Sequence, residues 1–289
     1  RWMAAQREAA GTPALGQPTV SQLWAISARL RVETTDGRAF LKACARVFDA
    51  EPAMTETLHR TLPGAVPEVI AIDAAEGWLL MRDAGGVIMG EQPADTWPAA
   101  FPALAAIQRA TSGGLDGIEL EDRGPAALAA SLPALLESPF VAAFPDDIGP
   151  RFRAAAPRLH DACGALASLP PGPTLMHGDF HPWNALRDGD RVVVIDWSDS
   201  AMGHPFMDLT NWFKRVGDPA ARRAMLDVWL DGWADAAPRP ALEEAARLGL
   251  VVGALHQVES YRRIVASLEP DTDWGLAGGG PSFARWALA

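Results

Sequence analysis

The chain has 289 residues, of which 49% are hydrophobic and 21% charged, as in ordinary globular proteins with room for one large domain or two lobes. Its formal net charge of −11 argues against nucleic-acid binding, which depends on basic surfaces. The two cysteines form neither a disulfide framework nor a zinc-binding spacing, and no apolar run is long enough to span a bilayer. We therefore expect a cytoplasmic protein that binds neither nucleic acid nor membranes.

Alternating residues near the N-terminus predict an antiparallel hairpin. Asp36-Gly37 is a strong turn signal, and it separates the alternating runs at residues 28–33 and 38–44. In the second run, Lys42 shares a predicted face with Cys44. A lysine on such a face can extend into a half-closed cleft.

A helix and two further strands are predicted next. Glu51-Pro52 begins the helix, because a proline in the first turn lacks only an N–H that would stay unpaired there. The helix ends before Pro63-Gly64, and residues 66–72 and 77–81 have strand patterns. Turn-forming residues then follow, so the sheet-rich part ends near residue 85.

Beyond this point the chain is rich in alanine and has helical periodicity that proline and glycine interrupt. One helix is predicted over residues 152–166. The sequence as a whole predicts an α+β fold in two lobes. Residues 1–85 form a small lobe with an antiparallel sheet, and residues 86–289 form a larger, mostly helical lobe.

An ordered series of oxygen-bearing side chains occupies residues 177–208. Asp179 and Asn184 fall in one loop, and the turn signal Asp188-Gly189 begins a hairpin that leads to Asp196. This turn would place Asn184 opposite Val193 or Val194, so that Asn184 and Asp196 lie together at the open end of the hairpin. One carboxylate and one amide oxygen are an adequate protein contribution to a Mg²⁺ site, and phosphoryl transfer needs such groups.

These motifs resemble those of the aminoglycoside phosphotransferase-like family of small-molecule kinases, which have the two-lobed protein-kinase-like fold. The resemblance covers most of residues 20–215. It is strongest in His177-Gly178-Asp179 with Asn184, in Ile195-Asp196-Trp197 and in Gly203-x-Pro205-x-x-Asp208-Leu209, and it is weaker in Phe40-Leu41-Lys42, in the helix of Glu51 and in Trp78-Leu79-Leu80-Met81.

The resemblance implies roles for the residues of the loop and hairpin. Asp179 corresponds to the catalytic base that deprotonates the acceptor hydroxyl. Asn184 and Asp196 correspond to the Mg²⁺ ligands. His177 is expected to brace the loop, and Asp208 is expected to accept hydrogen bonds from its N–H groups.

The same resemblance implies that the small lobe binds ATP or GTP. Lys42 would contact the α- and β-phosphates, and Glu51, or failing that Glu56, would orient the lysine. Met81 and Asp83 would belong to the hinge whose backbone groups bind the purine.

One departure from the family pattern concerns the loop that covers the phosphates. This loop is expected to be rich in glycine, but residues 21–27 contain none. Backbone N–H groups or the hydroxyls of Ser21 and Ser27 would then have to cover the phosphates. The glycine-free loop motivates an alternative, a pseudokinase that only binds or scaffolds, although a scaffold has little need for the four charged and amide groups of the site.

Two other enzyme classes compete with the kinase interpretation. His177, Asp179 and His181 alternate, and an extended strand would bring them to one face as ligands of a metallohydrolase. Asp179 and Asp196 could serve as the carboxylate pair of a glycosidase. Neither alternative explains Asn184.

The acceptor is expected to be the hydroxyl of a small molecule. Acidic and aromatic residues in the last third of the chain suggest a cationic acceptor, provided that at least two of the acids converge on the cleft of Asp179. The acids are Asp227, Asp231, Asp235, Glu243, Glu244 and Glu259, and the aromatic residues are Trp212, Trp229, Trp233 and Tyr261.

Overall fold

The computed structural model describes residues 1–269, 272 and 274–289. Its N-terminal part contains a five-stranded antiparallel sheet with the strand order β1-β2-β3-β5-β4. The strands are β1 (Thr19–Leu23), β2 (Ser27–Thr34), β3 (Gly37–Cys44), β4 (Val69–Asp73) and β5 (Trp78–Arg82), and the helices of this part are α1 (Trp2–Ala9) and α2 (Glu51–Thr61).

The predicted hairpin is formed by β2 and β3, with a turn one residue earlier than expected. Thr34 pairs with Gly37, so the turn residues are Thr35 and Asp36. Gly37 takes a positive φ of 112° and begins the second strand, because glycine adopts this backbone conformation without steric strain. Lys42 pairs with Leu79 of β5, which places the lysine in a central strand.

The helix predicted at Glu51 is confirmed as α2. It begins at Glu51, with Pro52 in the first turn, and ends at Thr61. Met54 and Leu58 are buried, and they anchor the helix beneath the sheet. Glu51 precedes Met54 by three residues, and Met54 precedes Leu58 by four, so the three side chains lie on the same side of α2. The helix thereby presents Glu51 to the strand that carries Lys42.

A second, smaller sheet lies at the start of the helical part. It has the order β6-β8-β9, formed by β6 (Val87–Ile88), β8 (Ala185–Asp188) and β9 (Arg191–Val194). The turn signal was assigned one position too early: Asp188 pairs with Arg191, so the turn residues are Gly189 and Asp190. Asn184 therefore lies opposite Ile195, not Val193 or Val194, and its carbonyl oxygen accepts the Ile195 N–H at 3.0 Å.

The rest of the chain is helical around one large apolar core. Strands β7 (Thr174–Met176) and β10 (Ala201–Gly203) pair with each other. The helices are α3 (Phe101–Ala110), α4 (Pro125–Glu137), α5 (Pro139–Ala142), α6 (Gly149–Ala154), α7 (Ala156–Ala167), α8 (Thr210–Phe213), α9 (Pro219–Asp231), α10 (Arg239–Ser267) and α11 (Gly279–Leu288). This arrangement confirms the α+β prediction, whereas the boundary at residue 85 stays a prediction.

The helix predicted over residues 152–166 is in fact two helices, α6 and α7. The first helix ends at Ala154 and the second begins at Ala156, with Ala155 between them, two residues before Pro157. A proline inside a helix cannot donate to the carbonyl four residues earlier, so a single helix would leave that hydrogen bond unmade.

Helix α10, with 29 residues, passes beneath the short helical turn of residues 205–209. A Cβ atom at Gly249 would lie 2.6 Å from the Phe206 carbonyl oxygen, so glycine permits this close approach. The approach brings the second half of α10 under residues 177–184. Within the part of the chain that the structure describes, no helix has both the length and the apolarity needed to cross a membrane.

Candidate active site

The loop after β7 is fixed from below by a buried carboxylate. The two carboxylate oxygens of Asp208 accept the backbone N–H groups of His177 and Gly178, each at 2.9 Å, and Gln108 donates to the same carboxylate at 2.8 Å. Burial raises the pKa of Asp208 to about 7, while the two backbone donors oppose that rise. The predicted scaffold role of Asp208 is thus confirmed.

His177 braces the same loop from within. Its Nε2 lies 2.9 Å from the Ile195 carbonyl oxygen, and its Nδ1 accepts the Asp179 N–H at 3.3 Å. Burial lowers the pKa of His177, so the ring is neutral and uses one nitrogen as a donor and the other as an acceptor. Gly178 is required between them: its φ is +81°, and a Cβ atom there would collide with the Asp199 carbonyl group.

Asp179 extends from this loop with one oxygen anchored. Its Oδ1 accepts the side-chain amide of Asn211 at 2.9 Å, and its Oδ2 lies 3.4 Å from His181 Nε2. His181 Nδ1 accepts the Trp183 N–H at 3.2 Å, while its Nε2 faces Asp179 Oδ2 and also lies 3.4 Å from the Asn184 amide nitrogen. The Asp179 side chain is 42% exposed, which leaves Oδ2 accessible to a bound hydroxyl.

Lys42 joins two carboxylates that come from opposite sides of the cleft. Its Nζ lies 2.6 Å from Glu51 Oε2 and 2.8 Å from Asp196 Oδ1. The predicted pairing of Lys42 with Glu51 is confirmed, and Glu56 is not its partner. Asp196 has a φ of +66°, a conformation that is uncommon outside glycine and that turns its carboxylate toward the lysine.

The pKa directions of this cluster follow from its ion pairs. Burial opposes the charge of Lys42, but the carboxylates of Asp196 and Glu51 outweigh it and raise the pKa of the ammonium group. Partial desolvation would raise the pKa of Asp196, yet Lys42 and the Ser198 hydroxyl, 2.6 Å away, hold that pKa below its usual range. Both groups are therefore charged at neutral pH.

Asn184 and Asp196 keep oxygen atoms that could bind a metal ion. The amide nitrogen of Asn184 donates to the Asp179 carbonyl oxygen at 3.0 Å, which fixes the amide group. Its Oδ1 and the Oδ2 of Asp196 accept no hydrogen bond from any residue in the described ranges. The backbone pairing of Asn184 with Ile195 places the two side chains on adjoining positions of the hairpin. A hard cation such as Mg²⁺ fits this donor pair.

Two cavities meet at Lys42 and Asp196. The sheet-side cavity has a volume of about 200 Å³, and it contains all five residues predicted to bind the nucleotide. The predicted residues are Ser27, Lys42, Glu51, Met81 and Asp83, and the apolar walls come from Phe40, Leu79, Ile88, Leu186 and Ile195. The Asp83 N–H already donates to the Arg38 carbonyl oxygen at 2.9 Å, so this particular group is not free for a ligand.

The loop-side cavity, of about 220 Å³, contains Asp179 and lies on the other side of Lys42. It also contains a residue that the sequence did not indicate, Asp199. This buried carboxylate accepts from Arg123 at 2.6 Å and from Ser260 at 2.5 Å. The remaining walls comprise Trp24, Ile26, Phe48, His181, Gln257, Tyr261, Ile264 and Leu276.

The acids expected to attract a cationic acceptor do not converge on Asp179. None of Asp227, Asp231, Asp235, Glu243, Glu244 and Glu259 lines the loop-side cavity among the residues described. They pair with arginines instead, and the pairs include Asp235 with Arg109, Glu244 with Arg247 and Glu259 with Arg262. Trp212, Trp229 and Trp233 are buried in the core, so only Tyr261 of the predicted group reaches the cavity.

The metallohydrolase alternative fails on His177. Its two ring nitrogens are occupied by contacts with the Ile195 carbonyl oxygen and the Asp179 N–H. β7 ends at Met176, so residues 177–181 are not the extended strand that this alternative required. Across residues 1–269, 272 and 274–289, no three histidine, cysteine or acidic side chains are grouped to hold a metal ion.

Comparison with protein families decides the assignment. The sequence pattern of the phosphotransferase enzyme family matches residues 20–246 of the chain. The chain belongs to the phosphotransferase enzyme family. No curated protein sequence matches this phosphotransferase significantly. The family match includes the sheet-side cavity and the loop of Asp179, and it ends in the first part of α10. Part of the loop-side cavity lies beyond it, at Gln257, Ser260, Tyr261, Ile264 and Leu276.

Solved structures share the fold of this phosphotransferase at low sequence identity. A choline/ethanolamine kinase family protein from Mesorhizobium loti has a TM-score of 0.67 and 21% identity, over 95% of this chain and 88% of that one. A macrolide 2'-phosphotransferase from Brachybacterium faecium has a TM-score of 0.67 and 18% identity, over 96% and 97%. A thermostable mutant of an aminoglycoside phosphotransferase, in ternary complex with ADP and hygromycin B, has a TM-score of 0.60 and 17% identity, over 98% and 97%. The predicted kinase-like fold is confirmed.

Proposed function

We propose that this phosphotransferase is a kinase that transfers the γ-phosphoryl group of ATP or GTP, with Mg²⁺, to a hydroxyl group of a small molecule. The observation that supports this proposal is the position of the Lys42–Asp196 ion pair. It forms the shared wall of two cavities, and Asp179 lines only one of them. Such a division suits a donor nucleotide on one side and an acceptor on the other.

The nucleotide occupies the sheet-side cavity in this proposal. Phe40, Leu79 and Ile88 supply apolar surface for a purine, and Lys42 lies at the end where the phosphates would enter. Glu51 holds the lysine in place. A similar fold binds ADP in the aminoglycoside phosphotransferase complex, which supports the choice of a nucleotide.

Asn184 and Asp196 would hold the Mg²⁺ ion through their unused oxygens. The ion would neutralise charge on the transferred phosphoryl group, which is the main requirement of this reaction. Lys42, now paired with Asp196, would turn toward the phosphates.

Asp179 acts as the base in the loop-side cavity. The acceptor oxygen bonds to the γ-phosphorus while the bond from that phosphorus to the β–γ bridging oxygen breaks. The hydroxyl proton passes to Asp179 Oδ2, because Oδ1 is held by Asn211. Proton transfer of this kind contributes a factor of about 10²–10⁴, and alignment of the two substrates supplies most of the rest.

The acceptor that best fits the loop-side cavity is small, hydroxylated and cationic. Asp179, Asp196, Asp199 and Glu51 line the cavity, with Lys42 as the opposing charge. Tyr261 adds an aromatic face that attracts a cation. The prediction of a cationic acceptor thus rests on these cavity residues, and no longer on the acids that form ion pairs at the surface.

A coupled assay of ADP release tests the proposal directly. The purified protein is given Mg²⁺ and ATP or GTP with choline, ethanolamine, hygromycin B, a macrolide or a neutral sugar. We expect ADP or GDP release that requires Mg²⁺ and an acceptor with a hydroxyl group. Nucleotide binding without release for any acceptor would favour the pseudokinase alternative, and turnover confined to neutral sugars would contradict the cationic acceptor.

A further inference from the structure

Arg215 contacts the residue that holds the proposed base. Its Nη1 donates to the Asn211 backbone oxygen at 2.6 Å and to the Asn211 side-chain oxygen at 3.0 Å. Asn211, which is buried, donates in turn to Asp179 Oδ1 at 2.9 Å. Resting on the proposed function, we propose that Arg215 is a positioning residue that orients Asp179 through the side-chain amide of Asn211.

The argument depends on the chemistry of the two ends of the Asn211 side chain. A guanidinium group has only donors, so Arg215 selects the amide oxygen of Asn211. The amide nitrogen must then face the opposite way, toward Asp179. The two orientations of an asparagine amide have nearly the same shape, so packing alone does not choose between them. Without Arg215, the amide oxygen loses the donor that fixes it, and the Asn211 side chain can rotate away from Asp179.

Arg215 itself is held on the loop that carries Asp179. Its guanidinium carbon lies 5.9 Å from the centre of the Trp183 ring, a geometry that permits cation–π attraction. The Trp183 ring also packs against Gly90, where a Cβ atom would come within 2.5 Å of the ring. Within the described part of the chain, Arg215 forms no direct ion pair that would explain its position otherwise.

The consequence concerns the geometry of the proton acceptor. With Oδ1 bound to Asn211, the Asp179 carboxylate cannot rotate freely, and Oδ2 keeps its direction into the loop-side cavity. Loss of Arg215 should therefore slow phosphoryl transfer while the sheet-side cavity, which shares none of these residues, binds nucleotide as before.

A double-mutant cycle tests this relay, which runs from Arg215 through Asn211 to Asp179. The variants Arg215→Met, Asn211→Leu and the double variant are compared with the wild type for ADP release from Mg·ATP, with water, choline and hygromycin B as acceptors. We expect Arg215→Met to lower kcat roughly tenfold, since small misplacements of a reacting group are costly, while KM for ATP changes less than twofold. Because Arg215 acts through Asn211, the double variant should be no slower than Asn211→Leu alone. Arg215→Lys, which retains a donor-only cation, should recover part of kcat.

Arg222→Met is the matched control. Arg222 also donates to a backbone oxygen, that of Val216, and lies 5.1 Å from a tryptophan ring, that of Trp286, yet it contacts no residue of the relay. This variant should keep the wild-type kcat. The relay would be overturned if the losses of kcat in the two single variants multiplied in the double variant. A rise of KM for ATP in Arg215→Met, parallel to its loss of kcat, would overturn it as well.

An NMR measurement decides the relay without any turnover. The side-chain amide signal of Asn211 should shift when Asp179→Asn is introduced into the wild type, and it should not shift when the same change is made in Arg215→Met. Equal shifts in both backgrounds would show that Arg215 does not set the amide orientation. An inactive wild type would count against the proposed kinase activity alone.

Discussion

The two cavities that meet at Lys42 are built on different principles. The sheet-side cavity is made from neighbouring strands and contains an apolar slot between residues such as Phe40, Leu79 and Ile88, whereas the loop-side cavity collects carboxylates that Lys42, Asn211 and Arg123 hold in place. An apolar slot can bind the flat face of many ligands. A set of fixed carboxylates is selective for charge and for hydroxyl position. Under the proposed function, nucleotide binding would depend on shape, and the choice of acceptor would depend on oriented polar groups.

The largest effect is expected from Asp196→Ala, because Asp196 belongs to both cavities. The variant should lose activity and the Mg²⁺-dependent part of nucleotide binding. Nucleotide at 100 times its Kd stabilises a protein by about 2.7 kcal/mol, so the wild type should show a clear rise in melting temperature. Asn184→Ala provides a parallel variant with the same expectation. Wild-type stabilisation by Mg·ATP in Asp196→Ala would show that the carboxylate does not hold the ion.

Asp179→Asn should affect one cavity only. The amide keeps the size of the side chain but cannot accept the hydroxyl proton, so kcat should fall by about 10²–10⁴. Mg·ATP affinity, measured by calorimetry or by the melting shift, should stay within a few-fold of the wild-type value. Equal losses of turnover and of nucleotide affinity would mean that the two cavities do not work separately.

Asp199→Ala should lower the free energy of unfolding, because it breaks an ion pair buried beside the loop-side cavity. Asp199 and Arg123 are both nearly inaccessible, with side chains 8% and 9% exposed. Removing one partner of a buried ion pair typically costs about 3–5 kcal/mol, which urea unfolding would measure. Glu121→Ala is the matched control, because Glu121 pairs with the same arginine but is 52% exposed. Its cost should stay within about 1 kcal/mol. Equal costs for the two variants would contradict the buried character of the Asp199 pair.

The smallest effect concerns the acid sensitivity that the buried His204, directly after β10, gives to the fold. Burial lowers the pKa of His204 to about 4. The native state then binds fewer protons than the unfolded state between roughly pH 6.5 and 4, so stability contributed by neutral His204 is lost as the pH falls through this window. His204→Gln, followed by urea unfolding at pH 7 and pH 5, should show a smaller loss on acidification than the wild type. An unchanged pH dependence would exclude His204 as a contributor.

The residues that could be predicted from the sequence are those with a short-range signal. Glu51 precedes a proline at a helix start, Lys42 lies in an alternating strand, and Asp179, Asn184 and Asp196 surround one hairpin. These patterns indicated which side chains meet. The turn of this hairpin was assigned one residue too early. Asp188 pairs with Arg191, so Gly189, with its positive φ, is the first residue of the turn and not the second.

The residues that were missed depend on contacts between distant parts of the chain. Asp199 acquires its role from Arg123 and Ser260, and Asn211 acquires its role from Asp179, which lies 32 residues earlier. No periodic pattern in the sequence indicates such pairs. The acids of α9 and α10 failed as acceptor ligands for the opposite reason, because arginines one or two helical turns away, or on the facing helix, satisfy them at the surface.

The ion pair between Lys42 and Asp196 means that the ligand-free protein supplies its own counter-ion. Lys42 stands where phosphate oxygens would otherwise balance its charge, and Asp196 stands where a cation would balance its own. Binding of a metal–nucleotide would therefore replace the Lys42–Asp196 pair by two others, Lys42 with the phosphates and Asp196 with the metal ion. The number of unpaired buried charges would stay the same. Nucleotide arriving without its metal would release Asp196 with nothing to replace the lysine. Under the proposed function, the ion pair would therefore disfavour the bare nucleotide before any chemistry begins.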